Sequence, residues 1–79
     1  MAKTRRFVEG RHYTSENVID GKRRDIKVYR RMGDGQVSVS GCGLLAKRLG
    51  IEVDADGNES VSLTIPDYEG NHATLVFRA

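Results

Sequence analysis

Closely spaced turn signals constrain this chain more than any other feature of its sequence. Asp20-Gly21, Asp34-Gly35 and Asp56-Gly57 are followed by Glu69-Gly70-Asn71. Glycine and asparagine accept the positive φ that tight hairpin turns require, and aspartate tolerates it. Between the turns lie five short runs, HYTSENVI, RRDIKVYRRM, QVSVS, SVSLTI and ATLVFR. Their period-2 alternation is that of half-buried strands. Pro66 stops the fourth run, because proline cannot donate into a central ladder. At 79 residues the chain reads as one small β-rich domain over residues 11–79. Residues 1–10 precede it as a flexible basic N-terminus or, through RRFV, an extra strand.

One segment departs from the alternation. In SGCGLLAKRLG, Ser40 is a plausible N-cap, and Leu44, Leu45 and Leu49 share a side. Gly50 can take the left-handed cap position. About two turns of helix are predicted, weakened by Gly41 and Gly43. The expected class is therefore mainly β (α+β), a small five-stranded antiparallel sheet or barrel of order β-β-β-α-β-β with one short helix. That order resembles the OB-fold, a five-stranded Greek-key barrel with its helix between strands three and four. A small open sheet covered by one helix is the competing arrangement. The centre of the core is predicted at Val28, Val39, Leu45, Leu49, Leu63, Leu75 and Phe77, each turned inward by alternation or helical spacing.

A core of this size seldom supplies more than roughly 3–5 kcal/mol, so short chains often add a disulfide, a metal or a partner subunit. Cys42 is the lone cysteine, which excludes an intrachain disulfide and fits a reducing compartment. With His12 and His72 it falls short of the four ligands of a structural zinc site. No metal or cofactor is expected. Homodimerisation is expected, with ATLVFR as the edge to be covered. The start of the chain lacks the apolar stretch of a secretory leader, and no window approaches a membrane span. A cytoplasmic protein is expected.

Charge is unevenly spread. Residues 1–31 hold ten Lys/Arg and four acids, a balance of +6, whereas residues 32–79 hold three and seven, a balance of −4. The stretch GKRRDIKVYRR, residues 21–31, alone carries six cations and a tyrosine. Register decides which of them share a face. A two-residue loop at Asp34-Gly35 pairs Met32 with Val37, Arg30 with Val39, Arg31 with Ser38 and Tyr29 with Ser40. Every apolar residue then falls on one side. A three-residue loop sets Arg31 opposite Val37 and scatters apolar groups over both sides, so the two-residue register is predicted. It turns Arg23, Asp25, Lys27, Tyr29 and Arg31 outward and leaves Arg24 and Arg30 inward. At Asp20-Gly21 a two-residue loop pairs Tyr13 with Val28 and Ser15 with Ile26 but sets Glu16 against Asp25, a like-charge contact that a longer loop would avoid.

Cations around an aromatic ring suit single-stranded nucleic acid, because the cations follow the phosphates while a base stacks on the ring. The candidate binding residues are Arg23, Lys27, Tyr29, Arg31 and His12, joined by Arg5 and Arg6 from the basic start. The predicted function is a non-enzymatic module contacting nucleic acid, preferably single-stranded. The alternative is a small protein-binding inhibitor or adaptor, for example phage-encoded and directed at a host nuclease or defence complex. It would set the same face on an acidic protein surface.

Other motifs read as structure. Cys42 is expected to be a small buried thiol, and Gly41-x-Gly43 to be glycines of a tight strand-to-helix turn. Residues 54–58, DADGN, place glycine fourth rather than sixth and so read as an acidic hairpin loop, not a calcium loop. Leu45, Ala46, Leu49, Gly50 and Ile51 match the opening of a helix-turn-helix repressor. The segment that follows contains a turn and a strand, which leaves no helix to enter a groove.

Overall fold

The computed structural model describes residues 4–41 and 44–79, with the backbone alone at 44 and 45. Its strands are β1 (His12–Thr14), β2 (Asp25–Arg31), β3 (Gln36–Gly41), β4 (Leu44–Gly50), β5 (Glu52–Val53), β6 (Glu59–Pro66) and β7 (His72–Arg78). They form two antiparallel sheets, β1-β2-β3-β4 and β5-β6-β7. Ile51 alone separates β4 from β5, so the chain passes from one sheet into the other there. At the opposite edges Ser15 bridges Phe77. The amide of Glu16 donates to the Val76 carbonyl at 2.8 Å, and the Val76 amide donates to Asn17 Oδ1. The strands thus run continuously from β4 through β1 to β7 and β6, without closing into a barrel.

The core lies between the sheets. Tyr13, Ile26, Val28, Val37, Val39 and Leu49 come from the first, and Val61, Leu63, Ile65, Leu75 and Phe77 from the second. Phe7 joins them from the N-terminal segment, with its ring edge-on to Tyr13 at 4.9 Å. Six of the seven expected core positions are buried. The seventh, the side chain of Leu45, lies outside the described residues.

The helix expected over residues 40–50 gives way to strand β4. Val37 and Val39 of β3 are fully buried and present a ladder edge that needs a partner. Leu49 reaches the core opposite Val37 as readily from a strand as from a helix. Gly41 has φ +121°, which no helix accommodates, and pairs with Ile26 so closely that a Cβ would press into the Asp25 carbonyl. Intrinsic helix preference is a weak prior beside such pairing. Cys42 and Gly43, and with them the thiol and paired-glycine readings, lie outside the described residues. The OB-like order and the five-strand count are not realised, since β4 and β5 replace the helix. Among the described residues no helix is long and apolar enough to cross a membrane.

The β2–β3 hairpin corrects the predicted register. Its loop has three residues, 33–35, closed by a hydrogen bond from the Met32 amide to the Gln36 carbonyl at 2.8 Å. Arg31 pairs with Val37 and Arg30 with Ser38. A β-bulge at Tyr29 then restores Val28 to Val39 and Lys27 to Ser40. One extra residue resolves the scattering that a three-residue loop otherwise imposes.

The first hairpin keeps its two-residue turn, with φ 55° at Asp20 and 76° at Gly21 and a bridge from Ile19 to Lys22. Its strands pair two residues away from the predicted register, Tyr13 with Ile26 and Thr14 with Asp25. Residues 16–18 loop out, which removes Glu16 from Asp25 and delivers it to Arg78. The expected free edge at ATLVFR is likewise covered over its last residues by the segment around Ser15.

Two further loops share one construction. In residues 54–58 and 67–71 the amide of the first Asp donates to the carbonyl of the closing Asn, and the Asp side chain accepts from two loop amides. Gly57 and Gly70 take φ 84° and 82°. DADGN is thus a hairpin loop, as its spacing predicts, and DYEGN repeats it.

Candidate functional site

The outer face of the four-stranded sheet collects the exposed part of the basic stretch. Cross-strand pairing puts His12, Lys27 and Ser40 in one row, and Arg30, Ser38 and Arg48 in the next. With adjacent strands about 4.8 Å apart, the backbones at Arg30 and Arg48 are roughly 10 Å apart. Tyr29, at the bulge, lies exposed with Lys27 Nζ 5.5 Å from its ring centroid. His12 Nδ1 contacts Asp25 Oδ2 at 2.8 Å on the same face, which places one carboxylate among the cations.

Arg31 is not on this face. The bulge turns it inward, where Nη1 and Nη2 donate to the two carboxylate oxygens of Glu59 at 2.5 and 2.9 Å. Glu59 is 6% exposed and occupies the first inward position of β6. Its Oε1 also accepts the Phe7 amide at 2.8 Å, and Arg31 donates a further bond to the Phe7 carbonyl. The Arg31 hydrogen bonds hold the Glu59 carboxyl below its ordinary range against the opposing effect of burial, with help from the Phe7 amide. The same bonds hold the Arg31 guanidinium above its ordinary value. This pair clamps β2 of one sheet to β6 of the other and ties both to the N-terminal segment.

The remaining candidates are dispersed. Arg6 lies 3.9 Å from Glu59, beside the clamp. The amide of Arg5 donates to Asn58 Oδ1, and its carbonyl accepts the Glu59 amide. Arg23 reaches the Ser15 carbonyl. The structure therefore brings Lys27, Tyr29 and His12 together, and separates Arg31, Arg5, Arg6 and Arg23 from them. Arg30 and Arg48 are the members of the face that alternation missed. Reading residues 44–50 as a strand pairing with β3 finds Arg48, whereas Arg30 depends on the bulge.

No group of three or more metal-binding side chains is gathered among the described residues. Comparison with protein-family models, with curated proteins and with solved structures gave no match.

Proposed function

We propose that this protein is a small non-enzymatic binding module that contacts single-stranded nucleic acid through the outer face of its four-stranded sheet. The observation that supports this reading is the placement of Lys27, Arg30 and Arg48 on the same sheet face as the exposed ring of Tyr29, with Lys27 over that ring. Three cations spaced across the strands suit successive phosphates, and the ring offers a stacking surface to a base. Ser38 and Ser40 supply hydroxyls in the same rows. The lone cysteine fits action in a reducing, cytoplasmic compartment.

Fluorescence titration of labelled single- and double-stranded oligonucleotides at several salt concentrations tests the reading. Removing Lys27, Arg30 or Arg48 lowers affinity for every sequence and flattens the single-strand salt slope by about 0.7. Tyr29→Ala costs roughly 1–3 kcal/mol against single strands and little against duplex, whose bases are already stacked. If neither oligonucleotide binds at low salt, the face is instead a docking surface for an acidic protein.

A further inference from the structure

We infer that Asp34-Gly35 is a site of spontaneous covalent modification, where Asp34 isomerises to isoaspartate through a cyclic imide, whereas the fold protects Asp20-Gly21 and Asp56-Gly57. All three pairs carry the same local chemistry. A glycine after aspartate leaves the attacking nitrogen unshielded and the backbone free to turn towards the side chain. What differs is how each turn is held.

The loops at 32–36 and 54–58 form a matched pair. Met32-Gly33-Asp34-Gly35-Gln36 and Asp54-Ala55-Asp56-Gly57-Asn58 both place Asp third and Gly fourth. In each the first amide donates to the fifth carbonyl, at 2.8 Å from Met32 to Gln36 and 3.0 Å from Asp54 to Asn58. Gly35 and Gly57 share a left-handed φ, 82° and 84°. The first residue separates them. Asp54 Oδ1 accepts the Asp56 and Asn58 amides, both at 2.9 Å, and the Asp54 carbonyl accepts the Gly57 amide at 3.0 Å. The nitrogen that would attack Asp56 is thus a committed donor, and the backbone around it is pinned. The N-terminal segment lies against the same loop: Asn58 Oδ1 takes the Arg5 amide, and a Cβ at Gly57 would meet Thr4 at 3.4 Å. Met32 has no side-chain oxygen to offer the amides of Asp34 and Gln36. Asp34 is exposed, its carboxylate has no partner among the described residues, and the space beside Gly35 is open.

Asp20 is protected by other means. Its side chain is 15% exposed and lies 3.6 Å from Arg24 Nη2, which engages the carboxylate. Reciprocal bonds between Ile19 and Lys22, at 2.8 and 3.1 Å, close the turn around it.

The reaction needs only water. The Gly35 nitrogen attacks Cγ of the Asp34 carboxyl, and the amide proton leaves with the carboxyl hydroxyl as water. Water then opens the imide at either carbonyl. Opening at Cγ restores aspartate. Opening at the main-chain carbonyl breaks its bond to the Gly35 nitrogen, so the chain runs on through Cβ and Cγ and an α-carboxylate is freed. The main chain is then longer by one methylene, between the Met32–Gln36 closing bond and the Gly35 carbonyl that accepts the Ile51 amide at 2.9 Å.

The test is to warm the purified protein at neutral pH and map its peptides by mass spectrometry. An S-adenosylmethionine-dependent isoaspartyl methyltransferase labels the freed α-carboxylate. In the folded protein isoaspartate should accumulate at position 34 at least about tenfold faster than at 20 or 56, a ratio that the loss of one or two hydrogen bonds supplies. In denaturant the three rates should converge. Met32→Asp supplies the missing anchor and should slow position 34 by about the same factor, and Asp54→Ala should quicken position 56. None of these readings depends on oligonucleotide binding. Equal rates at the three positions in the folded protein, no isoaspartate at position 34, or a rate there untouched by Met32→Asp would overturn the inference.

Discussion

β6, the central strand of one sheet, and β2, an inner strand of the other, solve the same problem in opposite ways. β6 runs from Glu59 to Pro66 in unbroken alternation, with Glu59, Val61, Leu63 and Ile65 all buried. β2 begins alike, burying Ile26 and Val28, and is then interrupted at Tyr29. Without the interruption position 30 would face the core and position 31 the solvent. With it, Arg30 joins the outer cations and Arg31 reaches Glu59. The regular strand builds core. The bulged strand divides its basic residues between a structural clamp and an exposed face.

Deleting one residue from the regular strand is expected to have the largest effect. Loss of Ser62 reverses every later side chain of β6, turning Leu63 and Ile65 outward and Thr64 inward. Each large apolar side chain lost to water costs about 1.5–3 kcal/mol, and burying an unpaired hydroxyl adds to that. The total exceeds what a domain of this size has to lose, roughly 3–5 kcal/mol. Circular dichroism should show no cooperative melting transition.

Breaking the clamp ranks next. Arg31→Met leaves the Glu59 carboxylate buried without its partner, and an orphaned buried charge of this kind costs about 3 kcal/mol. Replacing both residues, Arg31→Met with Glu59→Leu, should recover much of the loss, which a double-mutant cycle in denaturant would measure. Acid provides a second route. Because the folded-state pKa of Glu59 lies below its ordinary value of 4.5, its contribution is fully present above that value. It is lost as the pH falls from there through the lower folded-state value. Wild-type stability should decline over this acid range, and Glu59→Gln should remove that part of the decline.

Gly41→Ala tests the close approach of β3 to β2. The residue has a left-handed φ, and an added methyl would press on the Asp25 carbonyl and sit 3.1 Å from the Ile26 Cα. Strain of this kind costs about 1–3 kcal/mol, read as a lower denaturation midpoint at unchanged m-value.

These residues also show what was legible beforehand. Leu63, Leu75 and Phe77 are visible in plain alternation, because nothing interrupts β6 or β7. Lys27 and Tyr29 are legible as outward for the same reason, since they precede the bulge or form it. Arg30 and Arg31 exchange faces because a bulge inserts one residue without changing composition. The choice rests on distant Glu59, which no local pattern in β2 can report. β4 is misread as a helix because its leucines suit either period, and the decision belongs to the buried ladder edge of β3. The loop geometry was legible in more detail than simple turn spacing suggests. Asp first, Gly fourth and Asn fifth recur at 54–58 and 67–71, and the repeated pattern marks two three-residue hairpin loops.

The smallest effect is expected from deleting Tyr29 itself. In β2 the extra residue lies between Val28, paired with Val39, and Arg30, paired with Ser38. Removing it leaves those partners opposite one another in a continuous ladder, with Val28 inward, Arg30 outward and Arg31 inward. No buried side chain changes face. What is lost is the local bend and twist of the bulge and an exposed ring, changes worth roughly 1 kcal/mol or less. The variant should therefore melt cooperatively close to the parent, where deletion of Ser62 unfolds the chain. It should also keep the acid sensitivity that Glu59 confers, since Arg31 still reaches the carboxylate. Collapse on loss of Tyr29 would mean that the bend, rather than the register, brings Arg31 and Glu59 together.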